Sequence, residues 1–389
     1  MNNWKKIKLK ELLIQINNRN KEEKINKVLS VTNSQGFVEQ REYFERSIHS
    51  VNTSNYKIIK RNQFAFNPSR VNVGSIDLLK KYDIGILSPM YITFMVDEEA
   101  IIPEYLNYYF QTNIFYENVK KNTQGSVRDT LNFNDLLKFD FFLPTKKEQK
   151  RIIEILENVD NIIIKYDEKI EKCMKEREYL QRKIFDDLSK TSYKKEKIGN
   201  LFDRITNKNV DIKSSNILTI SAQEGLVNQF DYFNKIVAGE NLERYYYIKK
   251  GDFAYNKSYS NGYPVGATKM LKKYEDGIVS TLYICFRTKN MNVHNGFFEY
   301  LFQSQGYYNE LEKITQEGNR NHGILNMNIN DFFNIKVLLP EYEIQEKIYN
   351  VLNKEDKKIE LEKLKKIEYE KLKKGLMQQL LTGKVNVNV

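Results

Sequence analysis

The sequence predicts an α+β protein: two globular mixed α/β domains separated by two long helices that form an antiparallel intramolecular coiled coil, with pseudo-two-fold symmetry. Three observations predict it. The second half of the 389-residue chain restates the first at an offset near 190 residues. Each statement ends in a long, charged, helical stretch. The segments before those stretches alternate short β-branched or aromatic runs with brief helix-like pieces.

The repeat is legible residue by residue. The run from Tyr56 to Asn67, ending Phe64-Ala65-Phe66-Asn67, returns from Tyr245 to Asn256, ending Phe253-Ala254-Tyr255-Asn256. Lys80-Lys81-Tyr82 returns as Lys272-Lys273-Tyr274, and Tyr108-Tyr109-Phe110-Gln111 as Tyr300-Leu301-Phe302-Gln303. Leu143-Pro144 before Glu148-Gln149 returns as Leu339-Pro340 before Ile344-Gln345, and Leu180, Ile184 and Leu188 match Leu372, Leu376 and Leu380. Four segments follow: residues 1–145 globular, 146–190 a helix, 191–340 globular, and 341–389 a second helix with its tail. Two similar surfaces about a pseudo-two-fold axis suit a partner with two-fold character of its own, and duplex DNA is the obvious one.

Within the globular segments, Val28–Val31, Ile84–Leu87, Tyr91–Val96, Ile217–Ile220 and Ile278–Phe286 read as strands from their β-branched and aromatic content. Pro103–Phe110 and Phe297–Phe302 read as helices, the first opened by a proline suited to the first helical position. In the central helix Ile152, Leu156, Val159, Ile163, Tyr166, Ile170, Cys173, Arg177, Leu180 and Ile184 step alternately by four and three. That is a heptad seam, with Arg177 its one charged member, on a rod of roughly 65 Å. An exposed apolar stripe of that length would aggregate, so the seam needs a partner. The C-terminal helix offers Ile348, Leu352, Ile359, Leu361, Leu364, Ile367, Leu372, Leu376 and Leu380, ragged in the middle. The two helices are each other's best partner; homodimerisation through the same seams is the alternative.

Composition narrows the class. The chain carries 62 Lys+Arg against 51 Asp+Glu, net +11, and each globular half holds +4. That excess fits phosphate neutralisation on nucleic acid, although lysine-rich cytosolic proteins show it without such a role. Two cysteines, Cys173 and Cys285, exclude a disulfide framework and point to a reducing cytoplasm. His49, His294 and His322 lie far apart without ligand spacing. The longest apolar runs fall short of a bilayer span, and Met1–Lys6 lacks the apolar stretch of a secretion signal, so no membrane association is expected.

A search for chemistry returns little. The sequence has no phosphate-cradling Gly-rich loop; Leu381-Thr382-Gly383-Lys384 lacks the upstream glycine. Asn67-Pro68-Ser69-Arg70 is similar to the Asn-Pro-Pro-aromatic tetrapeptide of amino-methyltransferases, but the base-stacking aromatic is missing, and Asn256-Lys257-Ser258-Tyr259 lacks the proline too. Glu148-Gln149-Lys150 and Glu355-Asp356-Lys357 resemble part of a nuclease site, yet such triplets arise by chance on Lys/Glu-rich helices. No catalytic, cofactor-binding or metal-binding residue is assigned.

Binding residues are expected in two places per half. One is the polar loop after the Phe-Ala-aromatic-Asn strand: Asn67, Ser69, Arg70 and Asn72, then Asn256, Lys257, Ser258, Tyr259, Asn261 and Tyr263. Arg and Asn can read guanine and adenine through paired hydrogen bonds, while Lys and Ser mostly hold phosphates. The bland alternative is a solvated turn. The other is a Gly-centred stretch before the closing strand, with Gln124, Ser126 and Arg128 in one copy and Gln316, Asn319, Arg320 and Asn321 in the other. Backbone N–H groups and one cation there could hold a phosphate. The loops diverge while the strands agree, as expected of one scaffold reading two half-sites about one helical turn, ~34 Å, apart.

Taken with Leu372-Lys373-Lys374-Gly375-Leu376-Met377-Gln378-Gln379-Leu380-Leu381-Thr382-Gly383-Lys384, the Leu-Pro-x-x-x-x-Gln starts of both helices and the weaker Leu180–Leu188 copy, the chain resembles a type I restriction–modification specificity subunit over nearly its whole length. The resemblance implies two target-recognition domains reading a bipartite double-stranded DNA target, with the helices as a ruler. It also implies that two modification (methyltransferase) subunits, carrying S-adenosylmethionine and methylating adenine at N6, dock on the helices. Restriction/translocase subunits using ATP and Mg would join them. An orphan specificity protein, a self-contained nuclease or methyltransferase, and a coiled-coil scaffold are the alternatives.

Overall fold

The computed structural model describes residues 4–43, 50, 52–123, 130–221, 224–233, 241–258, 263–289, 291–315 and 327–387. Two compact units divide them. Unit 1 takes the chain up to Glu168 and again from Lys363 onward; unit 2 is Lys169–Glu362.

The described residues of unit 1 form ten short strands: β1 (Lys5–Lys8), β2 (Leu13–Ile16), β3 (Leu29–Thr32), β4 (Gly36–Glu39), β5 (Lys57–Lys60), β6 (Phe64–Phe66), β7 (Ile76–Leu78), β8 (Ile84–Leu87), β9 (Ile92–Val96) and β10 (Asp140–Leu143). They pair antiparallel as a four-stranded sheet in the order β2-β9-β6-β7 and as three pairs, β3-β4, β5-β8 and β1-β10. Helices Pro103–Tyr109 and Asn113–Thr123 pack on the four-stranded sheet around stacked Phe64 and Phe94, 5.0 Å apart, with Phe110 edge-on to both. Aromatic side chains bury much area per residue, which suits strands of only three to five residues.

Unit 2 repeats this strand for strand: β11 (Lys195–Lys197), β12 (Phe202–Ile205), β13 (Leu218–Ser221), β14 (Gly225–Asn228), β15 (Tyr246–Lys249), β16 (Phe253–Asn256), β17 (Ala267–Met270), β18 (Asp276–Val279), β19 (Ile284–Thr288) and β20 (Lys336–Leu338). The sheet order is β12-β19-β16-β17, with pairs β13-β14, β15-β18 and β11-β20. Phe253 stacks on Phe286 at 5.3 Å, the counterpart of Phe64 on Phe94. Helices Asn295–Leu301 and Gln305–Ile314 cover it. One expectation is corrected here: Ile278–Phe286 is not a continuous strand. A turn, with Ser280 accepting from the Leu282 and Tyr283 N–H groups, ends β18 and starts β19. Its counterpart in unit 1 is the Ser88–Tyr91 turn, closed by the Tyr91 N–H on the Ser88 carbonyl. In both units the closing strand is preceded by a short helix, Phe133–Leu136 or Ile329–Asn334, capped by the side chain of Asn132 or Asn328.

The first long helix spans Lys146–Ser189 and the second Tyr342–Leu380. All ten seam positions of the first are buried or half-buried. In unit 1 Asp160 meets Lys373 and Asp167 meets Lys366, both at 2.6 Å, so the helices run antiparallel there. In unit 2 Lys169 meets Glu362 at 3.0 Å, Arg177 meets Asp356 at 2.8 Å, and Ile170 and Cys173 pack on Ile359, again antiparallel. The second helix's seam is corrected: Leu361, Leu364, Ile367 and Leu372 are exposed. Glu362, Lys366, Tyr369 and Lys373 face the first helix instead, with the Tyr166 and Tyr369 rings 5.5 Å apart. Polar pairing takes over where the apolar period fails.

Each core is closed by helix ends. Ile152 and Leu156 of the first helix, with Met377, Leu380 and Leu381 at the end of the second, enter the unit 1 core. Phe185, Leu188 and Leu352 do the same in unit 2. The Leu-Pro-x-x-x-x-Gln motif has a physical explanation here. Gln149 is fully buried; its Oε1 accepts from the Ile102 N–H at 2.8 Å, and its Nε2 donates to the Ala100 and Pro144 carbonyls at 3.2 and 3.0 Å. Gln345 makes the same clamp: His294 N–H at 2.9 Å, Asn292 and Pro340 carbonyls at 3.0 and 2.8 Å. One amide thus satisfies three backbone groups that burial would otherwise leave unpaired, and joins the helix start to the domain.

Candidate nucleic-acid interface

Both candidate reading loops are built on the same turn. In unit 1 β6 ends at Phe66, and the Asn67 side-chain carbonyl accepts from the Ser69 N–H at 3.1 Å. In unit 2 the Asn256 side-chain carbonyl accepts from the Ser258 N–H, also at 3.1 Å. This is an Asx turn, which Asn favours because its side chain mimics a backbone acceptor. Asn67 is buried and its amide nitrogen points at the Met90 sulfur, 3.9 Å away. Asn67 and Asn256 therefore shape the loops, and the residues after them provide the surface.

In unit 1 that surface is Ser69, Arg70 and Asn72, all exposed. The Arg70 carbonyl accepts from Val73 and Ser75, closing a tight one-turn helix at Val71–Val73 that Gly74 ends with φ 101°. Among the described residues the Arg70 guanidinium has no hydrogen-bond or ion-pair partner, and it extends from a fixed backbone. The Pro68 carbonyl accepts from the Leu131 N–H at 3.0 Å. This brings the turn beside the chain at Leu131.

In unit 2 Asn256, Lys257, Ser258 and Tyr263 are half-buried. The loop returns through Gly266, φ +81°, where a Cβ would lie 2.1 Å from the Asn256 carbonyl oxygen. Tyr255 at the end of β16 donates its hydroxyl to the Val265 carbonyl at 2.5 Å, bracing the loop from below. Tyr263 packs edge-on to Tyr308, and the Lys269 ammonium lies 5.5 Å from its ring. Burial pulls Lys269 down to about 8, with nearby Glu299 opposing the shift. Burial pushes Glu299 up, against Lys272 at 2.6 Å. Gln124, Ser126, Arg128, Tyr259, Asn261, Gln316, Asn319, Arg320 and Asn321 lie outside the described residues.

The fragments that suggested catalysis have other roles. Glu148 caps its helix through the Thr145 N–H and hydroxyl, both 2.8 Å, and accepts from the Trp4 indole at 3.1 Å. Asp356 accepts from the Tyr300 hydroxyl at 2.6 Å. Among the described residues no group of three His, Cys, Asp or Glu is placed to hold a metal ion, and no helix is long and apolar enough to cross a membrane. Cys173 and Cys285 are buried free thiols, and burial pushes the Cys285 thiol up.

Two copies of one antiparallel fold, each with a braced polar loop and each closed by paired long helices, define a duplicated recognition protein. The chain belongs to the type I restriction modification DNA specificity domain family, whose sequence pattern matches residues 1–173 and 190–371. It is a DNA sequence-recognition subunit of a type I restriction–modification system, the non-catalytic component of such a complex. Among curated proteins it is similar to the MjaVIII type I restriction enzyme specificity subunit of Methanocaldococcus jannaschii, 25% identical over 339 residues, or 81% of this chain and 77% of that one. The fold is similar to that of the HsdS subunit from Thermoanaerobacter tengcongensis, with a TM-score of 0.51 at 14% identity over 98% of this chain and 97% of that one. The S subunit from M. genitalium gives 0.52 at 14% over 99% and 97%. A chain solved in a study of type I R-M complex assembly and conformational transition gives 0.58 at 13% over 97% of each.

Proposed function

We propose that each unit reads one half of a bipartite duplex target. The Ser69–Asn72 turn works with Gln124, Ser126 and Arg128 in one unit. The Asn256–Tyr263 loop works with Gln316, Asn319, Arg320 and Asn321 in the other. The observation that carries this is the shared Asx turn followed by unlike side chains: the same scaffold presents an exposed arginine in unit 1 and half-buried Lys257, Ser258 and Tyr263 in unit 2. Paired long helices set the spacing between half-sites and dock two modification subunits, for which exposed Leu364, Ile367 and Leu372 offer apolar contact. Those partners hold S-adenosylmethionine and methylate adenine at N6, and restriction subunits using ATP and Mg complete the system in the cytoplasm.

Mapping modified adenines in host DNA with and without this chain tests the reading. The expected result is one bipartite motif that disappears with the chain. Arg70→Ala is expected to relax or weaken the first half-site by about 1–3 kcal/mol while the second keeps its base preference. Equal change in both half-sites refutes the division of labour. Failure to co-purify with a methyltransferase refutes the docking role.

A further inference from the structure

One constellation recurs in both units and has no part in the reading loops. In unit 1 the Tyr108 hydroxyl donates to Asp160 of the first long helix at 2.8 Å. Lys373 of the second long helix pairs with the same carboxylate at 2.6 Å, and its ammonium lies 5.3 Å from the Tyr108 ring. In unit 2 the Tyr300 hydroxyl donates to Asp356 of the second long helix at 2.6 Å. Arg177 of the first long helix pairs with that carboxylate at 2.8 Å and lies 5.2 Å from the Tyr300 ring. The helices have exchanged roles, yet tyrosine, carboxylate and cation meet in the same way. Arg177 is the charged residue that interrupts the heptad seam, so its seam position is taken for this contact rather than for apolar packing.

We propose that these two triads are positioning joints: each fixes how its target-recognition domain is seated on the helix pair, and so contributes to the spacer length the protein accepts between half-sites. This rests on the bipartite reading above. The physical reason is directionality. Apart from the glutamine clamps at the helix starts, the remaining contact between domain and helices is largely apolar packing, which is non-directional and tolerates sliding. A tyrosine–carboxylate hydrogen bond is short, angular and strengthened by charge. Each triad ties the domain helix, Pro103–Tyr109 or Asn295–Leu301, to both long helices at one point. Burial first, and the neighbouring carboxylate second, push both tyrosine hydroxyls well above their usual range, so they remain donors across physiological pH. In unit 2 Gln181 adds a further tie: it donates to the Tyr300 carbonyl at 3.0 Å and accepts from Arg177. The ion pairs are partly open to water, with side chains 16–38% exposed, and screening there limits their contribution to stability, which favours a geometric role.

The test uses the full chain assembled with its modification subunits and a DNA library that keeps both half-sites and varies the spacer length. Tyr300→Phe and Asp356→Asn are expected to keep the base preference of both half-sites. The methylation-rate ratio between the preferred spacer and spacers one base pair longer or shorter should fall about tenfold, the discrimination one charge-assisted hydrogen bond can carry. Arg177→Lys, which gives unit 2 the cation found in unit 1, is expected to retain the wild-type ratio. Tyr108→Phe and Asp160→Asn repeat the test in unit 1 and decide the matter if a unit 2 variant does not fold. An unchanged ratio in the tyrosine and aspartate variants overturns the inference, and so does loss of base preference in parallel with loss of spacer preference. If the wild-type complex methylates no bipartite target, the underlying reading fails and the joints fail with it.

Discussion

Replacing Gln149 with leucine removes one buried side chain that serves three backbone groups. The Ile102 N–H and the Ala100 and Pro144 carbonyls lose partners at 2.8, 3.2 and 3.0 Å, and water cannot replace them because the side chain is fully buried. Each unsatisfied buried group costs about 1–3 kcal/mol. Burial of leucine in place of an amide offsets about 1.5–3 kcal/mol of the total. The middle of these ranges gives a net loss of about 4 kcal/mol, a large share of the roughly 5–15 kcal/mol that holds a domain folded. A midpoint drop of about 10 °C follows at this size. The assay is specific to unit 1, because Trp4 is the only tryptophan in the chain and donates to Glu148, the residue beside Gln149. Urea titration followed by Trp4 emission should therefore show the loss directly. Gln345→Leu, which breaks the matching clamp in unit 2, should move that emission transition less than Gln149→Leu does. A Gln149→Leu chain within about 1 kcal/mol of wild type would refute the clamp as a determinant of stability.

Three further outcomes are expected. Lys269 is held at about 8 by burial, below its unfolded value of 10.5, so between those values the unfolded chain binds the proton that the folded chain has released. Stability should therefore rise with pH across that window, by at most about 3 kcal/mol, and Lys269→Met should abolish the rise in paired denaturation curves. Gly266→Ala puts a Cβ against the Asn256 carbonyl at a φ of +81°, so unit 2 should lose more than about 1 kcal/mol in thermal denaturation and the second half-site should lose selectivity in binding assays. A four-residue insertion near Val159 should alter the accepted spacer in methylation-site mapping; an unchanged spacer would refute the ruler.

What the residues announced on their own is what local physics sets. The heptad seam of the first helix needs only a period of three and four, and Ile152, Leu156, Val159, Ile170 and Cys173 are buried as that period requires. The repeat likewise carried the strand pattern from one copy to the other. Ile278–Phe286 reads as one strand because its composition is largely β-favouring, and the turn that divides it rests on backbone hydrogen bonds that composition does not show. Leu361, Leu364, Ile367 and Leu372 fit a seam by their chemistry alone, and they are exposed.

Side-chain partners that lie far away in sequence were illegible. Nothing local distinguishes Gln149 from any helical glutamine, since its three partners are backbone groups whose positions only the fold decides. Arg177 looked like a defect in a seam until Asp356, 179 residues away, and the Tyr300 ring were placed beside it. Asn67 and Asn256 read as DNA contacts from sequence, which does not show that each side-chain oxygen accepts from the serine N–H two residues on. The sequence by itself determined the duplication, the strand and helix content and the first helix seam, because periodicity and propensity act over a few residues. Tertiary structure alone decided the helix register, the clamps and the triads. Directional hydrogen bonds and burial depend on where distant backbone comes to rest.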